Sequence, residues 1–303
     1  MNVWMVEQRR GTTCEASHRV HACATDANGQ LLWQVGTDLH TTFRSAAKPF
    51  QLEVSLGLVD PPLLTTVLPS DLALGSASHH GEPFHIAELE QLLTKLGRQR
   101  SHLYCGAHEP TAEAAARALI ARGEAPDVLH NNCAGKHTFM AAACAAHGYA
   151  PDYRAPDHPL QRAILQNLAQ RVGSTPPTVT DGCGVPCFVL PLSRMAHAYA
   201  QLARESAQGL HTRLGRIGNA LRDHPRLMSG SHAFDGWLIA RAGPQLGVGV
   251  AIKVESGVDQ VRPLAAHALL THFFPHIFQD ALAPEYWELR NVVGDLVGEL
   301  VCL

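Results

Sequence analysis

A serine and a lysine stand three residues apart in Arg44-Ser45-Ala46-Ala47-Lys48-Pro49-Phe50-Gln51, a spacing that suits a nucleophile and its base. Positions i and i+3 share a helix face, so hydroxyl and amine can touch. A serine hydroxyl is inert at neutral pH until something takes its proton. A lysine does that only where burial or a neighbouring cation lowers its pKa. Pro49 is tolerated in a first helical turn, where its missing N–H would have no partner. The segment therefore predicts a helix starting near Ser45, whose free N–H groups would favour an oxyanion. Alone, S-x-x-K recurs by chance, and its meaning depends on what the rest of the chain supplies.

Four more polar stations accompany it: Ser78 with His79 and His80; Cys133, Lys136 and His137 in HNNCAGKH; Asp181, Cys183 and Cys187 in DGCGVPC; and Lys253 in the apolar run LGVGVAIKV at 246–254. A charged lysine inside such a run costs several kcal/mol unless paired, so Lys253 either caps the strand end or is deprotonated for a purpose. Zinc prefers thiolates and imidazoles, which Cys133, His137 and Cys183 supply, although their spacing matches none of the closed C-x-x-C frameworks. Cys183 and Cys187 lie four apart in a glycine- and proline-containing turn, which suits a ligand pair and equally a pair of buried inert thiols.

Short strand-like segments come first, at Val3 to Val6, Arg19 to Ala24 and Leu31 to Val35, with a hairpin signal at Asp26-Ala27-Asn28-Gly29. The Ser45 stretch then opens a helix to about Leu58, stopped by Pro61-Pro62. Helical spacing follows Pro83 up to Gly97, then Thr111 to Ala121, an alanine-rich run ending at Ala146, Leu160 to Val172, Ser193 to Glu205 and His211 to Arg222. Thr178-Val179-Thr180 and Leu246 to Val254 read as strands, and Pro263 to Phe274 as a last helix. Strands, a long helical middle, then strand and helix predict an α+β fold. Residues 1–44 and 246–303 would share an antiparallel sheet and 60–225 would form a mostly helical lobe, all within one domain of 303 residues.

Composition excludes several classes. The chain is 46% hydrophobic and 17% charged, ruling out disorder, and 24 basic against 27 acidic residues give −3, with no block of like charge to attract nucleic acid or an anionic membrane. No apolar run approaches the roughly 20 residues a membrane-spanning helix needs, and the first residues lack a signal-peptide pattern, so a cytoplasmic location is expected. Eight scattered cysteines in a chain this long point to reduced thiols.

Taken together, RSAAKPFQ at 44–51, SASHHGEP at 76–83, HNNCAGKH at 130–137, DGCGVPC at 181–187 and GVGVAIKVESG at 247–257 resemble, in order and separation, the five signature blocks of the rhizobial-type L-asparaginases. Val6 to Gly11, Glu15 to His18 and His224 to Asp235 resemble further parts of that family. The resemblance implies a serine β-lactamase-like fold, a homodimer, and hydrolysis of L-asparagine to L-aspartate and ammonia. It implies two serine–lysine tandems, Ser45 with Lys48 and Ser78 with Lys253, and one Zn²⁺ on Cys133, Lys136 and Cys183. Arg44, Asp181 and His137 would be substrate-binding. Ser45 is expected to be the nucleophile and Lys48 its base, with Ser78 and Lys253 relaying protons. His80, where small residues are common, and the additional thiol Cys187 depart from the family pattern. Glutaminase activity is the nearest alternative. A penicillin-recognising peptidase would need a K-T-G-type triplet where this chain has Lys253-Val254-Glu255. A non-catalytic zinc or redox sensor would need neither lysine.

Overall fold

Backbone pairing carries the first two strands well beyond their apolar kernels. In the computed structural model, which describes residues 3–208, 211–231, 233–242 and 247–303, β1 is Trp4–Arg10 and β2 is Thr13–Thr25. The register continues through Glu7↔Ser17 and Gln8↔Ala16 to the turn at Gly11, whose φ is +56°. The polar extension is legible afterwards: Gln8 and Arg10 both bond Glu15, a cross-strand arrangement that needs no buried face.

Next come β3 (Leu31–Val35), β4 (His40–Thr42), α1 (Lys48–Leu58), α2 (Pro61–Leu64), α3 (Pro69–Gly75), α4 (Pro83–Lys95), α5 (Glu113–Arg122), α6 (Ala134–Ala146) and α7 (Pro159–Val172). The chain continues with β5 (Thr178–Thr180), β6 (Pro186–Pro191), α8 (Leu192–Ala207), α9 (Arg213–Asp223), α10 (Pro225–Met228), α11 (Phe234–Ala242), β7 (Gly249–Val254), α12 (Arg262–Phe273), β8 (Glu288–Arg290) and β9 (Leu296–Cys302). The predicted strand start at Leu246 lies outside the described residues. The architecture is thus mixed α and β with antiparallel sheets, and no helix among the described residues is long and apolar enough to cross a membrane.

Contacts divide the chain into two compact units. One comprises Met1–Thr41, Pro191–Gln201 and Pro244–Leu303. Its sheet runs β3-β2-β1-β9-β8, with β7 also paired to β2. One sheet face buries Val6, Val20, Ala22 and Val254 against Val261, Ala265 and Leu269 around α12. Strand alternation puts His21, Cys23 and Lys253 on the other face. There Gly249 meets α8 so closely that a Cβ would stand 1.8 Å from Ala196 O.

The second unit comprises Thr42–Leu190 and Leu202–Gly243. Its core joins Leu52 and Leu56 of α1, Leu72 of α3, Leu92 of α4, Phe139 of α6 and Ile217 of α9. Every residue of α6 from Ala134 to Cys144 is buried, which explains its small side chains. At its head, a Cβ on Gly135 would stand 2.2 Å from Leu74 O. Only glycine allows α3 and α6 to meet this closely, and the loops following α3 and preceding α6 carry the residues of interest.

Candidate active site

Arg44 to Ala47 form a 3₁₀ turn that passes directly into α1 at Lys48, so Ser45 precedes the α-helix rather than opening it. Ser45 is exposed. Arg44 has φ +46°, the one positive φ among described non-glycine residues, a conformation L side chains occupy at a cost. Two neighbours hold it there: its N–H donates to Cys187 Sγ at 3.3 Å, and its guanidinium lies 3.6 Å from Asp181 Oδ1.

Lys48 has no exposed surface. Its Nζ donates to Ser78 Oγ at 2.7 Å, to Asn132 O at 2.9 Å and to Ala77 O at 3.0 Å. Ser45 is not among these partners. None of the three oxygens belongs to a carboxylate. Burial lowers the lysine pKa, and although the Cys133 sulfur opposes this, the nearby Lys136 cation adds to it. The α3–α6 approach at Gly135 brings Ala77 and Ser78 of one loop and Asn132 of the other within reach of one amine.

Cys133, Cys183 and Lys136, all buried, gather beside this pair. The Asn131 side chain shapes the loop before α6, accepting from Cys133 N–H and donating to Cys105 O and Gly106 O. A hydrogen bond from Cys183, then the charges of Lys48 and Lys136, overcome desolvation and bring the Cys133 thiol down to about 5. Cys183 is correspondingly pushed up and keeps its proton. Burial works against a charged Lys136, but Cys133, Cys183 and Asp181 outweigh it and raise the pKa. Its Nζ also reaches Gln51 Oε1 at 3.3 Å. Among the described residues no three His, Cys, Asp or Glu side chains gather as a metal site. Two thiol sulfurs, one already ionised, suit zinc, and the Lys136 amine can join them only by giving up its proton.

His137 is completely buried, with Nδ1 2.9 Å from the Tyr153 hydroxyl and Nε2 without a partner among the described residues. His79, following Ser78, accepts from Gly81 N–H at Nδ1, which leaves its proton on a partnerless, buried Nε2. Burial holds both rings far below the ordinary histidine range. Lys253 belongs to the sheet unit, directly across from His21, whose ring bonds Glu255 and Thr37. The helical unit thus brings together Lys48 with Ser78, Arg44 with Asp181, and Cys133 with Cys183 and Lys136. Gln51, Asn131, Asn132 and Tyr153 were not singled out in the sequence. The Asn131-Asn132 pair before Cys133, and Gln51 three residues after Lys48, were the available signals.

A buried amine turned on a serine hydroxyl is equipment for acyl transfer, and the comparison with known proteins agrees. Residues 6–301 match the model of the L-asparaginase II family, so the chain belongs to that family and to the amidohydrolases. No curated protein matches the chain.

Proposed function

We propose that the protein hydrolyses L-asparagine to L-aspartate and ammonia through an acyl-enzyme, on a serine β-lactamase-like fold and as a homodimer. The observation that carries the reading is Lys48: an amine with no solvent exposure and no carboxylate partner, 2.7 Å from Ser78 Oγ and three residues after an exposed serine on a strained turn. Ser45 attacks the carboxamide carbon, its proton passes to Lys48, and the amine returns a proton to the departing ammonia. Water then releases aspartate. Ser78, hydrogen-bonded to the Lys48 amine, relays the proton, and Lys253 enters the relay on the resemblance of GVGVAIKVESG alone. Cys133, Lys136 and Cys183 would hold Zn²⁺, which when bound keeps its thiol ligands ionised and its amine ligand neutral. Arg44, Asp181 and His137 orient the substrate.

The test is ammonia release from L-asparagine and L-glutamine in parallel by wild type, Ser45→Ala and Ser78→Ala. Release from asparagine that vanishes in Ser45→Ala, with loss of the covalent acyl-enzyme in quenched-flow mass spectrometry, supports the reading. Release from glutamine alone keeps the mechanism and changes the substrate. An acyl-enzyme that survives Ser45→Ala and disappears in Ser78→Ala exchanges the two serines' roles.

A further inference from the structure

Cys187 is the thiol the family pattern does not call for, and the proposed chemistry does not use it. Its place in the fold gives it a task. Phe43 N–H donates to Phe188 O at 2.8 Å, so the chain entering the Ser45 turn is tied to β6 up to that residue. One residue later the backbone turns into the left-handed region at Arg44, where a side chain is disfavoured. The Arg44 N–H then has one acceptor, Cys187 Sγ at 3.3 Å. Sulfur accepts weakly, but an N–H left unsatisfied beside a buried strand would cost more. Asp181, from the loop that also carries Cys183, takes the Arg44 guanidinium at 3.6 Å. The turn before the serine is therefore clamped at backbone and side chain by one segment, 181–187.

We infer that Cys187 is a positioning residue for Ser45: its sulfur holds the Arg44 peptide at φ +46° and thereby fixes where the Ser45 hydroxyl sits. This rests on Ser45 acting in the proposed reaction. A thiol merely filling space would be replaceable by any side chain of similar bulk. A positioning acceptor is replaceable only by another acceptor, and it becomes dispensable once the strained residue is a glycine, for which positive φ carries no penalty.

The experiment compares Cys187→Ala, Cys187→Ser, Arg44→Gly and the double variant Arg44→Gly/Cys187→Ala. It measures kcat and KM for asparagine, and hydrogen–deuterium exchange of the peptide spanning 41–50. Cys187→Ala should lower kcat roughly tenfold with KM nearly unchanged, the rate equivalent of one lost hydrogen bond. Cys187→Ser should restore most of that loss. In the Arg44→Gly background, where the altered side chain affects both members of the pair equally, adding Cys187→Ala should change kcat by less than about twofold. Exchange of the 41–50 peptide should accelerate in Cys187→Ala and stay protected in Cys187→Ser. An equal loss in both backgrounds, or unchanged rate and exchange in Cys187→Ala, overturns the inference. If the wild type releases no ammonia from either amide, the proposed function fails by itself. Exchange then decides alone: acceleration in Cys187→Ala but not in Cys187→Ser upholds the clamp, and equal exchange in the two rejects it.

Discussion

Lys48 and Lys136 are both almost wholly buried, in the same unit, and both interact with Cys133, yet their pKa values move in opposite directions. Burial opposes the charged form of each equally well. What differs is the group each amine faces. Lys48 donates to a hydroxyl and two peptide carbonyls; Cys133 acts to raise its pKa, but desolvation, with the Lys136 charge behind it, wins. Lys136 lies beside the ionised Cys133, and with Cys183 and Asp181 also raising its pKa the desolvation penalty is outweighed. Depth in the core does not by itself make a lysine into a base; the balance between desolvation and the charges around the amine does. Lys48 is thus the amine poised to accept a proton, and Lys136 the one that stays charged.

The most direct way to break this contrast is to remove each amine. Lys48→Met should lower kcat by ~10³-fold or more, in the range expected for losing a general base, and Lys48→Arg should not rescue it, because a guanidinium stays charged. Lys136→Met should leave far more of the turnover. In metal-free protein it should instead raise the pKa of the Cys133 thiol above about 5, by less than losing the Cys183 hydrogen bond would, followed by ultraviolet thiolate absorbance. Equal loss of kcat in the two variants would mean that the distinction between base and counter-cation is wrong.

Only part of this contrast was legible beforehand. Both lysines stood in the polar clusters of the sequence, and the helix after Ser45 ends at Leu58, ahead of Pro61-Pro62, as those prolines indicated. Strand Thr178–Thr180 and the alanine-rich helix ending at Ala146 also follow directly from residue pattern. The partners of the amines did not. Lys48 bonds two backbone carbonyls, and a carbonyl has no identity in a sequence. Its side-chain partner, Ser78, lies 30 residues away, brought there by a helix contact that one glycine permits. The positive φ at Arg44 was equally hidden, since nothing about an arginine announces a left-handed backbone. β1 and β2 outran their apolar kernels because cross-strand polar pairs sustain a ladder that hydrophobic periodicity does not mark.

That helix contact offers a second, smaller test. In Gly135→Ala the new Cβ would meet Leu74 O at 2.2 Å, a backbone atom that cannot rotate away, so α3 and α6 must separate. The expected loss is about 3 kcal/mol of stability, at the upper end for overpacking, read as a lowered urea midpoint with an unchanged m-value. If the Lys48 region depends on this approach, the folded fraction should also lose activity through a longer Lys48–Ser78 contact. Full activity per folded molecule would show that the glycine contact serves packing alone.

The remaining effect concerns pH, and it falls on the Ser78 side of the contrast. His85 is buried, its Nδ1 accepts from Glu82 N–H, and burial pushes its pKa down to about 4 from an unfolded value near 6.5. His79, 5.2 Å away ring to ring, is held lower still. A depressed histidine is neutral in the folded protein while the unfolded chain takes up a proton. Its contribution is therefore fully present above pH 6.5 and is lost as the pH falls from 6.5 through about 4. Each such ring adds a slope of about 1.4 kcal/mol per pH unit across that window. Urea unfolding at several pH values between 4 and 7 should show this slope reduced by about one proton in His85→Gln, because glutamine does not titrate. A slope unchanged by the substitution would place the acid sensitivity elsewhere, with the Cys133 thiolate, whose own pKa of about 5 falls in the same window, as the group to examine next.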